Sequence, residues 1–394
     1  MPFAAALSEH PVGSEAVGEV VGAVLERLAG GVGVGGEGGV DLAALFVTTP
    51  HAAAFDGIAS AVRTLLAPRV LIGATSVSVI GGAREVEETP AVSLFAATGL
   101  GGLTPVRVEA RAGGELGFSG IPDALAEDAE ALILLPDPYT FPADAFLEAW
   151  RARHPQVAVI GGLASALVGP GGNRLVLDGE GFGHGAVGVV LGAGARIATI
   201  VSQGCRPVGS PYVVTRAEGN IIYELGGRPA LTRLAELAAA LAPAERELLA
   251  DGVHVGRVID ERQLDFARGD FLIRGVLGAD RDTGAVAVGD AIEVGATVQF
   301  QVRDAASADA DLRELLAGRR AGGALVFTCN GRGRRLFAEP DHDALVVTEA
   351  LGTTAAAGMF CAGELGPVGG RPFLHAFTAS VALFDDAPAP GAGA

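Results

Sequence analysis

The sequence predicts a mixed α/β protein, with layered mixed β-sheets flanked by helices, in two domains that carry an internal β-α-β-β pattern. Three observations lead there. An apolar strand, an amphipathic stretch and a second apolar strand follow one another three times along the chain, and each time short Gly-rich links lead into further strands. The intervening helices are long enough for a right-handed crossover between parallel strands, whereas the Gly-rich links demand antiparallel additions. The chain has 394 residues, 49% of them apolar, which is room for two or three domains and a sizeable core.

The elements follow in order. Val17, Val20, Val21, Val24, Leu25 and Leu28 have the spacing of one buried helical stripe over Ala16 to Leu28. The glycine run at residues 31–36 matches GxGxxG, but a helix precedes it and a strand follows, the reverse of a dinucleotide fingerprint. Residues 1–38 therefore read as a helix and a Gly-rich hinge. In the first unit Leu42 to Thr49 is a strand, His51 to Leu66 a helix and Val70 to Ala74 a strand, followed by Gly81-Gly82 and a strand at Ala91 to Ala97. In the second, Ala131 to Leu135 is a strand, Pro142 to Arg153 a helix and Val157 to Ile160 a strand. Strands near Arg174 to Leu177, Ala186 to Leu191 and Arg196 to Ser202 follow. In the third, Ala324 to Cys329 is a strand, Arg334 to Leu351 is largely helical around Pro340, and Gly358 to Ala362 and Phe373 to Phe384 are strands.

Between the second and third units Pro229 opens a helix with Leu231, Leu234, Leu237 and Leu241 on one face, as suits proline at a first helical position. Val298, Phe300 and Val302 alternate with Gln299, Gln301 and Arg303 as in a half-buried strand, with Val253 to Asp260 and Phe271 to Leu277 as neighbours. The expected domains are 39–227 and 228–385, with 386–394 a disordered Pro/Ala/Gly tail.

Composition removes several functions. A net charge of −18 repels phosphate backbones and anionic membranes, so neither nucleic acid nor membrane insertion is expected. All 28 basic residues are Arg. Without Lys there is no Walker-type phosphate loop, no Schiff base to pyridoxal phosphate and no kinase lysine. Cys205, Cys329 and Cys361 are far apart and odd in number, which indicates neither a disulfide framework nor a zinc site and suits a reducing cytoplasm. Glu9, Glu15 and Glu19 precede Arg27, the wrong charge order for a secretory signal, and the apolar run Ala186 to Ala195 is broken by Arg196.

The strongest local constellation is Thr328-Cys329-Asn330-Gly331-Arg332-Gly333-Arg334, leaving a buried strand to enter a helix. Backbone N–H groups and a helix dipole beside an Arg suit a carboxylate, and open α/β sheets bind ligands at the carboxyl ends of strands. Alternatively Asn330 caps the helix, Gly331 and Gly333 make the turn and the arginines are solvated. Glu364, after the strand that ends in Cys361, faces either a cation or amine, or solvent from a Gly-Pro turn. Arg206 is a second anion contact or an interdomain ion pair. His375 reads as a core histidine, Asp137 as a turn residue, and Asp341-His342-Asp343 as a solvated helix start. No GxSxG elbow, HExxH helix or supported His/Cys pair occurs, which weighs against an enzyme without excluding one that uses Cys361 or Cys329 as a nucleophile on a small metabolite.

Gly204-Cys205-Arg206-Pro207-Val208-Gly209, Cys329-Asn330-Gly331-Arg332-Gly333, Phe360-Cys361-Ala362-Gly363-Glu364-Leu365-Gly366-Pro367-Val368-Gly369 and Phe373-Leu374-His375-Ala376-Phe377-Thr378-Ala379-Ser380 together resemble the FIST family. So do Pro50-His51, Val79 to Glu87 and Ile160 to Ser165 in the first half, so the resemblance covers nearly the whole chain. It implies paired FIST N-terminal and C-terminal domains forming an intracellular sensory module for small ligands such as amino acids, which signals through attached domains or a downstream protein. One branch implies a haem-binding nitric-oxide sensor, for which His184, His254 and His375 are the candidate ligands; otherwise no cofactor is expected. Where relatives often carry a Cys and a Glu after the strand ending near Gly73, this chain has Ala74 and Val77, whereas Cys361 and Glu364 keep the pair in the last unit. The expected ligand site is therefore Arg206, Asn330, Gly331, Arg332, Gly333, Cys361 and Glu364, and no output domain is expected in the chain.

Overall fold

The computed structural model describes residues 2–29, 39–111 and 116–385, so the expected Gly-rich hinge at 31–36 and the tail at 386–394 lie outside the described residues. The fold is mixed α/β, as expected. The described residues form two compact units, one made of those within 2–201, 313–374 and 378–385, the other of 202–312 with 375–377.

The larger unit contains the three strand–helix–strand segments that the periodicity predicts, and all three strand pairs are parallel. Leu42–Thr48 lies beside Val70–Ser76, with the helix Phe55–Leu66 between them in sequence. Ala129–Pro136 lies beside Ala158–Gly162 across the helix Ala143–Arg153. Gly323–Cys329 lies beside Ala356–Cys361 across the helix His342–Leu351, in a register that sets Cys329 opposite Cys361. Leu42–Thr48 and Gly323–Cys329 are buried at every residue, which is why they read as unbroken apolar runs. Phe55, Ile58, Ala59, Val62 and Leu66 form the buried stripe of their helix.

Each pair is followed by a hairpin that leaves its own sheet. Ser78–Gly81 and Arg84–Glu87 join the third sheet beside Ala356–Cys361; Leu175–Leu177 and Glu180–Phe182 join the first beside Val70–Ser76; Glu364–Val368 and Arg371–His375 join the second beside Ala158–Gly162. The exchange is cyclic. Each unit then returns a strand, Val92–Ala97, Ala186–Gly192 or Thr378–Phe384, antiparallel to its own first strand. Outside these lie Phe3–Ser8, Leu103–Arg111 and Ile197–Gln203.

Two expectations are corrected here. The single strand expected over Phe373 to Phe384 is two, Arg371–His375 and Thr378–Phe384, because the chain reverses at Phe377, which has φ +64°, and the halves belong to different sheets. The stretch Arg334 to Leu351 is a 3-10 turn at Gly333–Arg335 and then, past Pro340, the helix His342–Leu351.

In the smaller unit Thr297–Arg303, Tyr212–Glu218, Ile221–Leu225, Val286–Val288, Phe271–Ala279 and Val253–Val258 pair in that order, and the last pairs back to the first, closing a small barrel. Val214, Ile222, Val255, Val298, Phe300 and Val302 share its apolar cluster. The alternation at 298–303 is as expected, but Gln299 and Gln301 are buried too, so this strand is covered on both faces. Among the described residues no helix is long and apolar enough to cross a membrane.

Candidate functional site

At the carboxyl ends of the third parallel pair, two loops are tied together. The Asn330 N–H donates to the Cys361 carbonyl at 2.9 Å, and the Arg332 N–H donates to the Cys329 carbonyl at 2.8 Å, closing a tight turn. Gly333 has φ +55°, and a Cβ there would sit 2.8 Å from both Glu87 Oε1 and Phe360 Cε1, so the turn requires glycine for conformation and for space.

The turn folds the Arg332 side chain inward, where only 1% of it remains exposed. Its fork grips Asp343 with Nε to Oδ2 and Nη2 to Oδ1, both at 2.7 Å. Thr328 Oγ1 donates to Asp343 Oδ2 at 2.6 Å and His342 Nδ1 lies 3.0 Å from Oδ1. Burial alone would push the Asp343 carboxyl up, but the Arg332 charge and these hydrogen bonds outweigh it and hold it well below the usual carboxylate range. Burial opposes the Arg332 charge too, and Asp343 again outweighs it, so the guanidinium pKa is raised. Asp343 is thus a buried counter-ion where a solvated helix start was expected, because a buried guanidinium requires a paired carboxylate.

Glu364 is fully buried, not set on a surface turn. Its Oε2 accepts from the Thr378 N–H at 3.1 Å and from Thr378 Oγ1 at 2.8 Å. Burial raises its carboxyl to about 8, against the pull of Thr378, of a hydrogen bond with Cys329 and of the Arg332 charge. Cys329 Sγ also accepts the Gly331 N–H at 3.4 Å. Burial pushes the Cys361 thiol well up, with Glu364 and Cys329 adding to it. Gly162 leaves the space that thiol fills, since a Cβ at 162 would overlap Cys361 Sγ. Glu85, on the hairpin donated by the first unit, accepts the Ala344 N–H at 3.1 Å; burial and the Asp343 charge raise it to about 8.

Three buried polar atoms on these loops have no hydrogen-bond partner among the described residues: Arg332 Nη1, Asn330 Oδ1 and Glu364 Oε1. Six of the seven expected site residues therefore come together: Asn330, Gly331, Arg332, Gly333, Cys361 and Glu364. Two parts of the expectation are corrected. Asn330 caps no helix, and no helix dipole meets the strand end, because only a 3-10 turn follows and the α-helix starts at His342. The other members, Thr328, Asp343, Thr378 and Glu85, lie in segments that the sequence singles out, but nothing in those segments marks them as part of this site.

The FIST N domain model matches residues 41–228, and the FIST C domain model matches residues 230–367. This chain belongs to the FIST family. It is 44% identical over 383 residues to the uncharacterized protein Mb0898c of Mycobacterium bovis, covering 95% of this chain and 97% of that one. It is also 43% identical over 395 residues to the uncharacterized protein Rv0628c of Mycobacterium tuberculosis, covering 98% of this chain and 100% of that one. FIST domains are sensory domains. The cluster around Arg332 and Glu364 lies in the FIST C segment, apart from Glu85 in the FIST N segment and Thr378 just beyond the match.

Arg206 of this FIST protein belongs to the barrel unit, where its Nε donates to Asp304 at 2.6 Å and its Nη1 to Glu245 at 3.3 Å. Asp137 is a buried turn residue, accepting from Thr140 Oγ1 at 2.7 Å and from Asn173 Nδ2 at 3.0 Å. For haem, His184 is exposed and pairs with Glu109 at 3.1 Å. His254 is buried, with its ring 4.3 Å from that of Phe377 and the Arg303 charge close by. His375 is a core residue, 2% exposed. One exposed histidine paired to a carboxylate and two packed into the protein interior do not fit haem.

Proposed function

We propose that this FIST protein is a small-ligand sensor whose ligand is amino-acid-like, bound by the loops at Asn330–Gly333 and Cys361–Glu364. The observation that carries the reading is the set of three buried, unpartnered polar atoms on those loops, Arg332 Nη1, Asn330 Oδ1 and Glu364 Oε1. Unsatisfied buried polar groups cost free energy, and one compact molecule bearing both acceptors and donors satisfies all three. An ammonium group donates to Asn330 Oδ1 and to Glu364 Oε1, whose carboxyl gives up its proton as the ammonium binds, and a carboxylate accepts from Arg332 Nη1. Because Asp343 already balances the Arg332 charge, the carboxylate is held by a hydrogen bond rather than by a free cation. Arg206 is left to its own ion pairs. The protein works in the cytoplasm, as three cysteines outside any disulfide suit, and signals through a partner protein.

The test is a thermal-shift titration with a panel of α-amino acids. A ligand that binds the folded state alone raises Tm with concentration. The expected result is a rise for the parent that is absent in Glu364→Gln; a panel that leaves the parent's Tm unmoved refutes the reading.

A further inference from the structure

The same loops hold a second chemistry that needs no metabolite ligand. Cys329 and Cys361 are opposite each other in register on adjacent parallel strands. Side chains paired in this way leave the same face of a sheet, and neighbouring strands lie about 4.8 Å apart, within the roughly 4.4–6.8 Å that a disulfide accepts between Cα atoms. Neither cysteine is in a disulfide.

The two differ in surroundings. Cys329 has three features that make a thiol nucleophilic: an N–H donor at Gly331, a carboxyl partner in Glu364 and the Arg332 charge within reach. It is 8% exposed, whereas Cys361 is completely buried. Arg332 Nη1, a buried donor with no hydrogen-bond partner among the described residues, and the Glu364 carboxyl, which hydrogen-bonds Cys329, both act on that thiol. Cys205 is the contrast, buried in the barrel unit among Val258, Phe271 and Ile273.

We propose that Cys329 and Cys361 are a redox pair in which Cys329 reduces a hydroperoxide and Cys361 resolves the product as an intramolecular disulfide. Cys329 Sγ attacks one peroxide oxygen and the O–O bond breaks. The thiol proton passes by way of the Glu364 carboxyl to the departing hydroxide, giving water and a sulfenic acid at Cys329. Cys361 Sγ then attacks that sulfur, the S–O bond breaks, and the hydroxide leaves with the Cys361 proton as a second water. Two thiols supply the two electrons that reduce the peroxide. Arg332 Nη1 donates to the peroxide oxygen that departs.

The experiment treats the full chain with stoichiometric hydrogen peroxide and maps its thiols by peptide mass spectrometry. The expected product has one free thiol, at Cys205, and a linked peptide joining Cys329 to Cys361. In Cys361→Ser a sulfenic acid persists at Cys329 and is trapped by dimedone, and in Glu364→Gln the parent reaction slows by roughly tenfold or more. Three intact thiols in the parent overturn the proposal, as does a dimedone adduct at Cys205 instead of Cys329, or an unchanged rate in Glu364→Gln. These readouts use no amino acid, so their failure leaves the ligand reading standing, and a failed thermal-shift titration leaves the redox pair standing.

Discussion

Replacing Glu364 by Gln should change how the stability of the sheet unit depends on pH. In the folded protein the Glu364 carboxyl is held up to about 8 by burial, against an ordinary value of 4.5. Between those values the folded state keeps a proton that the unfolded chain has lost, so stability is full at low pH and falls as pH rises. Each such proton contributes a slope of about 1.4 kcal/mol per pH unit. Glu85, raised likewise, contributes a second. Over pH 6.5 to 7.5 the parent should therefore lose roughly 2–3 kcal/mol, and Glu364→Gln about half of that. Gln keeps the acceptor that Thr378 uses, so near pH 5 the two proteins should be nearly equal. Trp150 is the single tryptophan of the sequence and is buried in the sheet unit, so its fluorescence during urea unfolding reports that unit. If the stability difference between parent and variant stays flat from pH 5 to 8, Glu364 is already ionised and the reasoning fails.

Three further outcomes follow from the same structure. Arg332→Ala strands the Asp343 carboxylate in the core and should cost about 3–5 kcal/mol by urea unfolding, whereas Arg206→Ala, whose side chain is 27% exposed, should cost about 1 kcal/mol or less. Gly162→Ala sets a methyl group against Cys361 Sγ and should cost about 1–3 kcal/mol, a loss that Cys361→Ala relieves in the double variant; additive losses would show that the two do not touch. His254, lowered to about 4 from 6.5 by burial and the Arg303 charge, binds a proton in the unfolded chain first, so the barrel unit should lose stability as pH falls from about 6.5 to 4. His254→Gln should flatten that loss, measured by circular dichroism melts.

What the sequence determined by itself was local. The three parallel pairs were legible because a fully buried strand is an unbroken apolar run and a crossover helix shows one buried stripe, both set by residues close together in the chain. Asn330–Gly333, Cys361 and Glu364 were legible as a group because each ends or follows a strand of the same pair. The strand Phe3–Ser8 was missed because Ala-rich stretches carry little pattern of either period. Asp343 looked like a solvated helix start, since nothing within its own helix says that a guanidinium will fold onto it from a turn on the preceding strand. Tertiary structure alone decided the cyclic exchange of hairpins, the closure of the barrel, and the burial of Glu364 beneath Thr378. Those outcomes depend on which strand edges meet. Edge pairing joins residues far apart in sequence, and the burial it creates sets which ions must pair and which carboxyls keep their protons.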